Sequence, residues 1–514
     1  MKRVKSIVQS IKQAYVRGEE DETLEPIVLV DNQGRPIGRI RNGDYIIFYN
    51  IRGEREVELT ESLTDKKFSN FRTKSNLNIN FVTMIEYDKK LKVKVGFPPE
   101  ERLKDTLSET ITNNHLKQVK ISESEKAIHV SYFFNGKLKE PFPNEERIVI
   151  PSPQVDSYNK KPEMSISQVT EAVVDKLTKN CYQFILANFA NIDVIGHIEN
   201  ESAVIKAVES VDKHLGVVVE AAKKTGVTTA ITADHGTVEK WLYPGGTIDT
   251  GHTNSPVPFI LFGSESDMNK LRDNGELSDV APTVLQLMGI EKPHLMKGKS
   301  LIKKGSYKPQ RVLLLILDGW GVNSKQEGNL TAQASTPVMD YLKRHYPYTE
   351  LKASGKAVGM PEGTVGNSEA GHLHLGAGRR VLSDRVRIDR AIEDGSFFEN
   401  EAFLWAVRGA KRDNVALHLL GIVSFYSSHG WVKHLFSLLE LARREGLEEV
   451  YIHAMLGRRG EIPESGVRYI SEVERETERI GTGKVVSVIG RFWSLDREEN
   501  WDRIEKTYRM LVYG

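Results

Sequence analysis

The feature that most constrains the fold is a fully apolar run, Val312 to Leu317 (VLLLIL), which ends at Asp318 and Gly319. An apolar run without polar alternation predicts a strand that is buried on both faces, as in a parallel sheet covered by helices. An acidic residue at the carboxyl end of such a strand lies where open α/β sheets keep their chemistry. The run therefore predicts an α/β fold with a functional site near Asp318.

The rest of the carboxyl-terminal region alternates strands with helices. Its apolar runs predict strands over 417–423, 450–455 and 485–489, and its helical periodicity predicts helices over 432–444, 466–480 and 498–512. This alternation is typical of a parallel sheet wound with right-handed crossovers. Because 514 residues exceed a single ordinary core, we expect two domains, or one large α/β domain with an insertion.

Charge and cysteine content exclude several classes of protein. Lys plus Arg number 71 against 70 for Asp plus Glu, so no overall field favours nucleic acid or a membrane surface. The single cysteine, Cys181, excludes an intramolecular disulfide and a Cys-x-x-Cys metal site, and it is typical of a reducing cytosol. We therefore expect a cytoplasmic protein without a nucleic-acid or membrane partner.

The amino-terminal stretch predicts an amphipathic surface helix and not a signal peptide. Its apolar residues fall at helical spacing and do not form an unbroken core: Val4, Ile7, Val8, Ile11 and Tyr15. No stretch approaches the roughly 18 apolar residues that a membrane span requires.

A candidate metal motif lies in ITADHGTVE, where a short β-branched run stops at Asp234-His235-Gly236. A carboxylate oxygen beside an imidazole nitrogen forms the mixed ligand set that Mn²⁺ and Zn²⁺ accept. In isolation, an Asp-His pair is more often a turn with a helix cap, so that alternative stays open for this motif alone.

Other segments add residues of the same types. Asp193 and His197 follow a predicted strand at 184–187, and their spacing can place both side chains on one metal if the segment turns helically. Residues at or just beyond strand ends suffice for two metal sites with Ser368 between them: Asp193, His197, Asp234, His235, His252 and Asp318. Two neighbouring cations would lower the pKa of the Ser368 hydroxyl and align it with a phosphorus atom.

Several basic residues carry weaker signals. Lys126 lies in the polar middle of QVKISESEKAIHVSYFFNG, a segment with strand character at both ends, where a lysine is ordinarily a solvated edge residue. Arg52 and Arg55 follow a predicted strand at 45–49, and a solvated basic turn is the simpler interpretation there. Three further histidines are interpreted as core or capping residues: His374, His434 and His453.

Taken together, the motifs resemble those of the 2,3-bisphosphoglycerate-independent phosphoglycerate mutases of the alkaline phosphatase superfamily. The segments that carry the resemblance span nearly the whole chain: VLLLILDGWG, GMPEGTVGNSEAGHLHLGAGR, RAIEDGSFFEN, DETLEPIVL, SESEKAIHVSYFFNG, PSPQVDSYNKKPEMS, NFANIDVIGH, TADHGTVE and GHTNSPVPF. The resemblance implies a monomer with two α/β domains, each an open and mainly parallel sheet flanked by helices.

The order of these segments differs from that of the family. The DGWG strand lies near the amino terminus in the family, whereas here it begins at residue 312. The chain therefore resembles a circular permutant whose usual termini are joined through roughly Lys303 to Gln310. The resemblance then implies an alkaline-phosphatase-like phosphatase domain at 99–382 and a transferase domain built from 1–98 and 383–514.

The resemblance also implies a role for each matching residue. It assigns one metal to Asp193, His197 and His252 and the other to Asp318, Ser368, Asp234 and His235. Ser368 is the implied nucleophile, and Lys126 is implied to neutralise phosphoryl oxygens. The implied cofactors are two divalent ions, Mn²⁺ before Mg²⁺, Co²⁺ or Zn²⁺. The small-molecule substrate, phosphoglycerate, is implied to contact Arg52, Arg55, His429, Arg459, Arg491 and Arg497.

Two loops depart from the family pattern. Where the family has SDGGVHSH, this chain has SFYSSHGW from Ser424 to Trp431; where it has DGRDTPP, this chain has GRRGEIP from Gly457 to Pro463. The family has an acid at the position of Gly460, and the resemblance implies that this acid transfers a proton. A glycine cannot do so, and Glu461 is the nearest residue that could take its place. Three functions stay open: a mutase, a metal-dependent phosphohydrolase or phosphotransferase on a related small phosphate, and a catalytically silent phospho-metabolite binder.

Overall fold

The computed structural model describes residues 2–99, 102–243, 245–263, 271–303, 308–425, 429–457 and 464–514. Over these residues the chain forms two compact units. Unit 1 comprises Met1–Pro99 and Asp384–Gly514, and unit 2 comprises Glu100–Ser383. In the described ranges, no helix is both long and apolar enough to span a bilayer.

The strands are, in chain order, β1 Lys2–Val4, β2 Ile27–Leu29, β3 Tyr45–Phe48, β4 Asn80–Ile85, β5 Lys94–Phe97, β6 Gln118–Glu123, β7 Glu145–Ile150, β8 Phe184–Phe189, β9 Thr228–Thr232, β10 Val257–Phe262, β11 Gly275–Glu276, β12 Val312–Leu317, β13 Tyr348–Lys352, β14 Leu417–Ile422, β15 Val450–Leu456 and β16 Lys484–Gly490.

The helices are α1 Ile7–Val16, α2 Val57–Thr64, α3 Leu107–Asn113, α4 Ile166–Thr178, α5 Asn191–Gly196, α6 Glu201–Thr225, α7 Val280–Leu287, α8 Leu330–Gln333, α9 Pro337–His345, α10 Ser368–Ala377, α11 Asp384–Asp394, α12 Glu401–Asp413, α13 Val432–Arg444, α14 Ser465–Ile480, α15 Arg491–Ser494 and α16 Trp501–Val512.

Unit 1 is built on one sheet in the order β1-β2-β16-β15-β14-β3-β4-β5. Its neighbouring strands run parallel except for the antiparallel pair β2 and β16. Successive side chains of β3 point to opposite faces of the sheet. Tyr45 and Ile47 belong to the hydrophobic core on one face, and Ile46 and Phe48 belong to the core on the other. Helices cover both faces, which explains why the central strands are apolar without alternation.

Unit 2 is built on a second sheet in the order β11-β13-β10-β9-β12-β8-β6-β7. Strands β9, β12, β8, β6 and β7 run parallel, and β10 is antiparallel to both of its neighbours. Strand β12 has the bounds that the sequence predicts, and all six of its residues are buried. The predicted fold class, α/β with two mainly parallel sheets flanked by helices, is confirmed.

Helix α3 begins at Leu107, because Asp105 has a φ of 58° and the Thr106 side chain caps the first turn by accepting from the Glu109 amide. One local prediction was wrong. The segment around Lys126 has strand character only at its first end, β6. Beyond it, Ser124–Lys126 forms a 3₁₀ turn and His129–Phe133 a π-helical turn.

Candidate metal centre

The centre lies where three neighbouring parallel strands of unit 2 end. Strand β12 pairs with β8 on one side and β9 on the other, and Ile316 lies opposite both Asn188 and Thr232. The polar residues that follow these strands therefore emerge at the same edge of the sheet. Asp318 follows β12, and the other acids at this edge, Asp193 and Asp234, follow β8 and β9.

One cluster consists of Asp193, His197 and His252. Helix α5 brings the first two together: Asp193 Oδ1 lies 3.4 Å from His197 Nε2 and 3.1 Å from His252 Nε2. The outer ring nitrogen of each histidine lies against a main-chain carbonyl oxygen, that of Thr250 at 2.7 Å and that of Gly366 at 3.1 Å. These contacts leave both Nε2 atoms directed at Asp193.

A second cluster surrounds Ser368, the first residue of α10. Ser368 Oγ lies 2.9 Å from His235 Nε2 and 3.4 Å from Asp318 Oδ1. His235 Nε2 also lies 3.5 Å from Asp234 Oδ2. Ser368 is 6% exposed, whereas the other three side chains are fully buried. The amino terminus of α10 is electropositive, so negative charge at the Ser368 side chain is stabilised there.

Lys126 joins the two clusters. Its ammonium nitrogen lies 2.7 Å from Asp193 Oδ2, 2.6 Å from Asp318 Oδ1 and 2.7 Å from Ser368 Oγ. The side chain is 4% exposed, so the interpretation of Lys126 as a solvated edge residue is wrong. The 3₁₀ turn after β6 directs the side chain inward, and that turn was not expected from the sequence.

The charges of the centre shift one another's protonation. Burial alone would lower the pKa of Lys126, but Asp318 and Asp193 outweigh it and raise that pKa above its ordinary value. Burial raises the pKa of Asp193, but Lys126 and His235 bring it well below its usual range. Burial opposes the charged form of His235, yet the carboxylates of Asp234 and Asp193 raise its pKa. Burial and the neighbouring Asp234 raise the pKa of Asp318, so Lys126 is a cation beside the ionised Asp193.

The residues present fit divalent metal ions. Among the described residues no group donates a hydrogen bond to the buried Asp234 Oδ2, and its neighbour His372 Nδ1 lies 3.1 Å away. A cation bound to this oxygen would compensate the cost of its burial. Among the described residues, three groups bring carboxylate and imidazole atoms together, and within each group these atoms lie within 4.8 Å of one another. The groups are Asp193-His197-His252, Asp193-His235-Asp318 and Asp234-Asp318-His372. Mixed oxygen and nitrogen ligands of this kind suit divalent metals.

Sequence reasoning missed four buried residues that contact the centre. They are Asn188, Thr237, Glu239 and His372. Asn188 is detectable as a polar residue within the apolar strand FILANF, and His372 as a histidine four positions after Ser368. Thr237 Oγ1 donates to Asp193 Oδ1 at 3.2 Å, and Glu239 Oε2 accepts from the Thr237 amide at 2.9 Å. No pattern in the sequence marks Thr237 or Glu239 as part of the centre.

The predicted substrate residues that the structure describes lie in unit 1. Glu54 lies between two of them: its Oε2 accepts from Arg497 Nη1 at 2.7 Å, and its Oε1 lies 3.4 Å from Arg52 Nη2. Arg55 donates to the carbonyl oxygen of Leu495 at 3.2 Å, and Arg491 Nε lies 3.6 Å from Glu22 Oε1.

His429, also in unit 1, is buried, and its Nδ1 lies 3.3 Å from Glu56 Oε1. Phe425 packs against Tyr469 with ring centroids 5.2 Å apart. Arg459, Gly460 and Glu461 lie outside the described residues.

The three histidines interpreted as core or capping residues are buried. His374 Nδ1 lies 2.7 Å from the Ala370 carbonyl oxygen, and its Nε2 accepts from the Val381 amide at 3.0 Å. His434 Nε2 lies 3.0 Å from Asp389 Oδ1. His453 belongs to a hydrogen-bonded chain within the unit 1 sheet.

Comparison with known proteins places the chain in a family. The model of the metalloenzyme superfamily matches residues 32–292, just over half of the 514 residues. The chain belongs to the metalloenzyme superfamily. A second model, described as the N-terminus of 2,3-bisphosphoglycerate-independent phosphoglycerate mutase, matches residues 388–514, after the first match in this chain.

Similar proteins carry the name 2,3-bisphosphoglycerate-independent phosphoglycerate mutase. The one from Methanococcoides burtonii is 43% identical over 303 residues, 58% of each chain. The one from Moorella thermoacetica is 44% identical over 298 residues, 58% of this chain and 57% of that relative. The matched region thus spans less than three-fifths of either relative.

A solved structure also matches part of the chain. It is described as Leishmania mexicana phosphoglycerate mutase at low cobalt concentration, and it is 27% identical over 59% of each chain with a TM-score of 0.38. That score is too low to carry a statement about the fold.

Proposed function

We propose that this chain interconverts 3-phosphoglycerate and 2-phosphoglycerate through a phosphoserine at Ser368. The observation that carries the proposal is the buried serine hydroxyl, which lies 2.7 Å from Lys126 Nζ and 2.9 Å from His235 Nε2. The relatives named phosphoglycerate mutase support the same substrate class. A pure binding protein has no need of a nucleophile in such a setting.

Two divalent metal ions, Mn²⁺ first, are part of the proposal. Asp193, His197 and His252 would hold one ion, and Asp318, Ser368, Asp234 and His235 would hold the other. Together the ions would lower the pKa of the Ser368 hydroxyl and neutralise charge on the transferred group. Mg²⁺, Co²⁺ and Zn²⁺ suit the same ligand types.

The reaction balances as two successive displacements. Ser368 Oγ loses its proton and bonds to phosphorus while the bond from phosphorus to the 3-oxygen of glycerate breaks, and that oxygen takes up a proton. After the glycerate has reoriented, its 2-hydroxyl loses its proton and bonds to phosphorus, while Ser368 Oγ leaves and regains a proton. The cationic Lys126 stabilises negative charge on the phosphoryl oxygens in both displacements, because it is held by Asp193 and Asp318 beside the nucleophile.

We propose a phosphatase domain at 99–382 and a transferase domain built from 1–98 and 383–514. Unit 2, Glu100–Ser383, would then supply the phosphatase chemistry, and unit 1 the transferase residues. The arginines Arg52, Arg55, Arg491 and Arg497 suit phosphate and carboxylate because guanidinium groups bind these anions through paired hydrogen bonds. His429 and Arg459 complete the proposed substrate contacts. The chain would act as a cytoplasmic monomer.

We further propose that the chain is a circular permutant. The match to an amino-terminal family model falls at residues 388–514, behind the metalloenzyme match, which is the order that a permutation produces. The first strand of unit 1 and the last residue are also close, since Arg3 Nη2 donates to the Gly514 carbonyl oxygen at 3.1 Å. A direct join between these points requires little chain.

A second candidate is a phosphohydrolase or phosphotransferase on a related small phosphate. It is favoured by Phe425 and Gly460, which stand where the family has acids. The two candidates differ in the fate of the phosphoryl group.

Acid quenching followed by peptide mapping tests the proposed intermediate. With Mn²⁺ and 3-phosphoglycerate, we expect phosphate on the peptide that contains Ser368, and none in a Ser368→Ala variant. Ser437→Ala, which removes a buried hydroxyl from unit 1, should leave the labelling unchanged. Labelling at another residue, or full turnover by Ser368→Ala, would refute a phosphoserine at Ser368.

A further inference from the structure

A buried amide links two polar residues beneath the metal centre. The side-chain nitrogen of Asn188, in β8, donates to Asp318 Oδ2 at 2.7 Å and lies 3.0 Å from His372 Nε2. These two acceptors use both of its hydrogens. The opposite orientation of the amide would place its carbonyl oxygen against the Asp318 carboxylate, so electrostatics fixes the orientation.

This arrangement defines the tautomer of the neutral His372 ring. Because Nε2 accepts from Asn188, the ring proton of neutral His372 lies on Nδ1. His372 Nδ1 lies 2.9 Å from the Ser368 carbonyl oxygen and 3.1 Å from Asp234 Oδ2. The ring then has no lone pair free for a cation, although His372 lies within a cluster that could hold a metal.

The amide of Asn188 contacts the outer oxygen of the Asp318 carboxylate. Asp318 Oδ2 is occupied by Asn188, so Oδ1 is the oxygen that faces Lys126 at 2.6 Å and Ser368 at 3.4 Å. Asp234 Oδ1 accepts from the amides of His235 and Gly319, while Oδ2 lies beside the His372 ring. Asn188 thereby holds Asp318 in the orientation that presents Oδ1 to Lys126 and Ser368.

We propose that Asn188 and His372 are a positioning pair that orients Asp318 for the metal ion at Ser368: Asn188 holds Asp318 Oδ2, and His372 Nε2 holds Asn188. They would have no effect on the ion at Asp193, His197 and His252. This inference rests on the proposed function, because it assumes two ions at the assigned residues. Outer partners of metal ligands commonly contribute about 10–100-fold to metal affinity.

The test is calorimetric titration with Mn²⁺ alone in two single-site backgrounds. His252→Ala isolates the ion at Ser368, and His235→Ala isolates the ion at His197. Asn188→Leu keeps the side-chain volume but removes both donated hydrogen bonds. We expect it to weaken Mn²⁺ about 10–100-fold in the first background and to leave the affinity unchanged in the second.

A matched control separates positioning from folding. Asn135→Leu replaces another fully buried asparagine of unit 2, one that bonds to Lys120 and Glu145 and to none of the proposed ligands. It should leave both affinities unchanged. The inference would be overturned if Asn188→Leu lowered the Mn²⁺ affinity of both sites equally, or if it lowered the affinity of neither.

Two substitutions at His372 give a second readout that does not depend on Asn188→Leu folding. The Gln oxygen can take the place of Nε2 and accept from Asn188, whereas the shorter Asn side chain can only take the place of Nδ1. We expect His372→Gln to retain Mn²⁺ at the Ser368 site and His372→Asn to lose about tenfold or more in affinity. The reverse order would contradict the positioning role.

The same titration distinguishes failure of the inference from failure of the proposed function. Wild-type protein that binds fewer than two Mn²⁺ ions would overturn the two-ion proposal and this inference with it. A different result would overturn the positioning pair alone. In that case the wild type binds two Mn²⁺ ions, but neither Asn188→Leu nor His372→Asn selectively weakens Mn²⁺ binding at the Ser368 site.

Discussion

The ammonium nitrogen of Lys126 lies 2.7 Å from the hydroxyl oxygen of Ser368, although 242 positions separate the two residues. The same nitrogen contacts carboxylates from two other segments, Asp193 and Asp318. A single cation therefore holds together the ends of β8 and β12 and the start of α10. Its position makes Lys126 both a structural cross-link and a neighbour of the proposed nucleophile.

Lys126→Met should separate these two contributions. Because it leaves two buried carboxylates without their cation, we expect the free energy of unfolding in chelator to fall by about 3–5 kcal/mol. Added Mn²⁺ should restore part of that stability, since metal binding favours the folded state.

The same variant should lose about 10²–10³-fold in kcat at saturating substrate, because a preorganised donor beside the transferred group is gone. Denaturant titrations with and without Mn²⁺, together with steady-state rates, measure both effects. An unchanged free energy of unfolding in chelator would contradict the role of Lys126 as a structural cross-link. An unchanged kcat would contradict its role in catalysis.

Glu54 should affect substrate binding more than chemistry. Its carboxylate joins Arg52 and Arg497, and the joined side chains are about half exposed. Glu54→Gln should raise KM for 3-phosphoglycerate by about two- to fivefold with little change in kcat, since exposed ion pairs stabilise by less than about 1 kcal/mol. Glu505→Gln, which breaks a comparable exposed pair with Arg509, is the control. A fall in kcat without a change in KM would contradict this role.

A chain of buried hydrogen bonds in unit 1 predicts that the stability of the protein falls at acidic pH. Asp44 Oδ2 lies 3.0 Å from His418 Nε2, His418 Nδ1 lies 2.9 Å from His453 Nε2, and His453 Nδ1 lies 2.7 Å from Ser487 Oγ. Burial and the neighbouring His418 hold the pKa of His453 well below its ordinary value of 6.5. Below pH 6.5 the unfolded chain therefore binds a proton that the folded chain does not.

The neutral His453 thus contributes fully to the free energy of unfolding above pH 6.5, and this contribution is lost as the pH falls below that value. We expect its contribution to the free energy of unfolding to drop by about 1.4 kcal/mol per pH unit below that value. Hydrogen exchange of β15 from pH 7.5 to 5 measures the loss, and His453→Gln should show a smaller slope. Equal slopes for the two proteins would show that His453 is not the titrating group.

Restoring the family order tests the proposed permutation. A chain that begins at Gln310, ends at Lys303 and joins Gly514 to Met1 by a short flexible linker should fold into the same two units. Since Arg3 contacts Gly514, closing that loop should change the free energy of unfolding by only about 1 kcal/mol. Opening the chain between Leu314 and Leu315, inside the buried β12, should prevent folding. Failure of the reordered chain to fold would contradict the permutation.

The parts of the fold that were predictable are those with a strong local pattern. Val312–Leu317 is a strand with the predicted bounds because six apolar residues in succession suit a sheet covered on both faces. Asp193 and His197 lie together because a four-residue spacing on a helical turn leaves little other choice.

The other residues of the centre depend on contacts between distant segments. Lys126 is buried only because carboxylates from residues 193 and 318 surround it, and no pattern within SESEK indicates that. Asn188 and His372 acquire their roles from the register of β8 with β12 and from the position of α10. Such roles follow from tertiary structure and not from spacing in the sequence.

The most direct test of the central claim is phosphorus NMR of the Mn²⁺-loaded protein with 3-phosphoglycerate, with samples quenched and chelated over time. The proposed function predicts a growing resonance of 2-phosphoglycerate that reaches equilibrium without release of inorganic phosphate. Inorganic phosphate alone would contradict mutase activity and favour the phosphohydrolase, and an unchanged 3-phosphoglycerate resonance would contradict both.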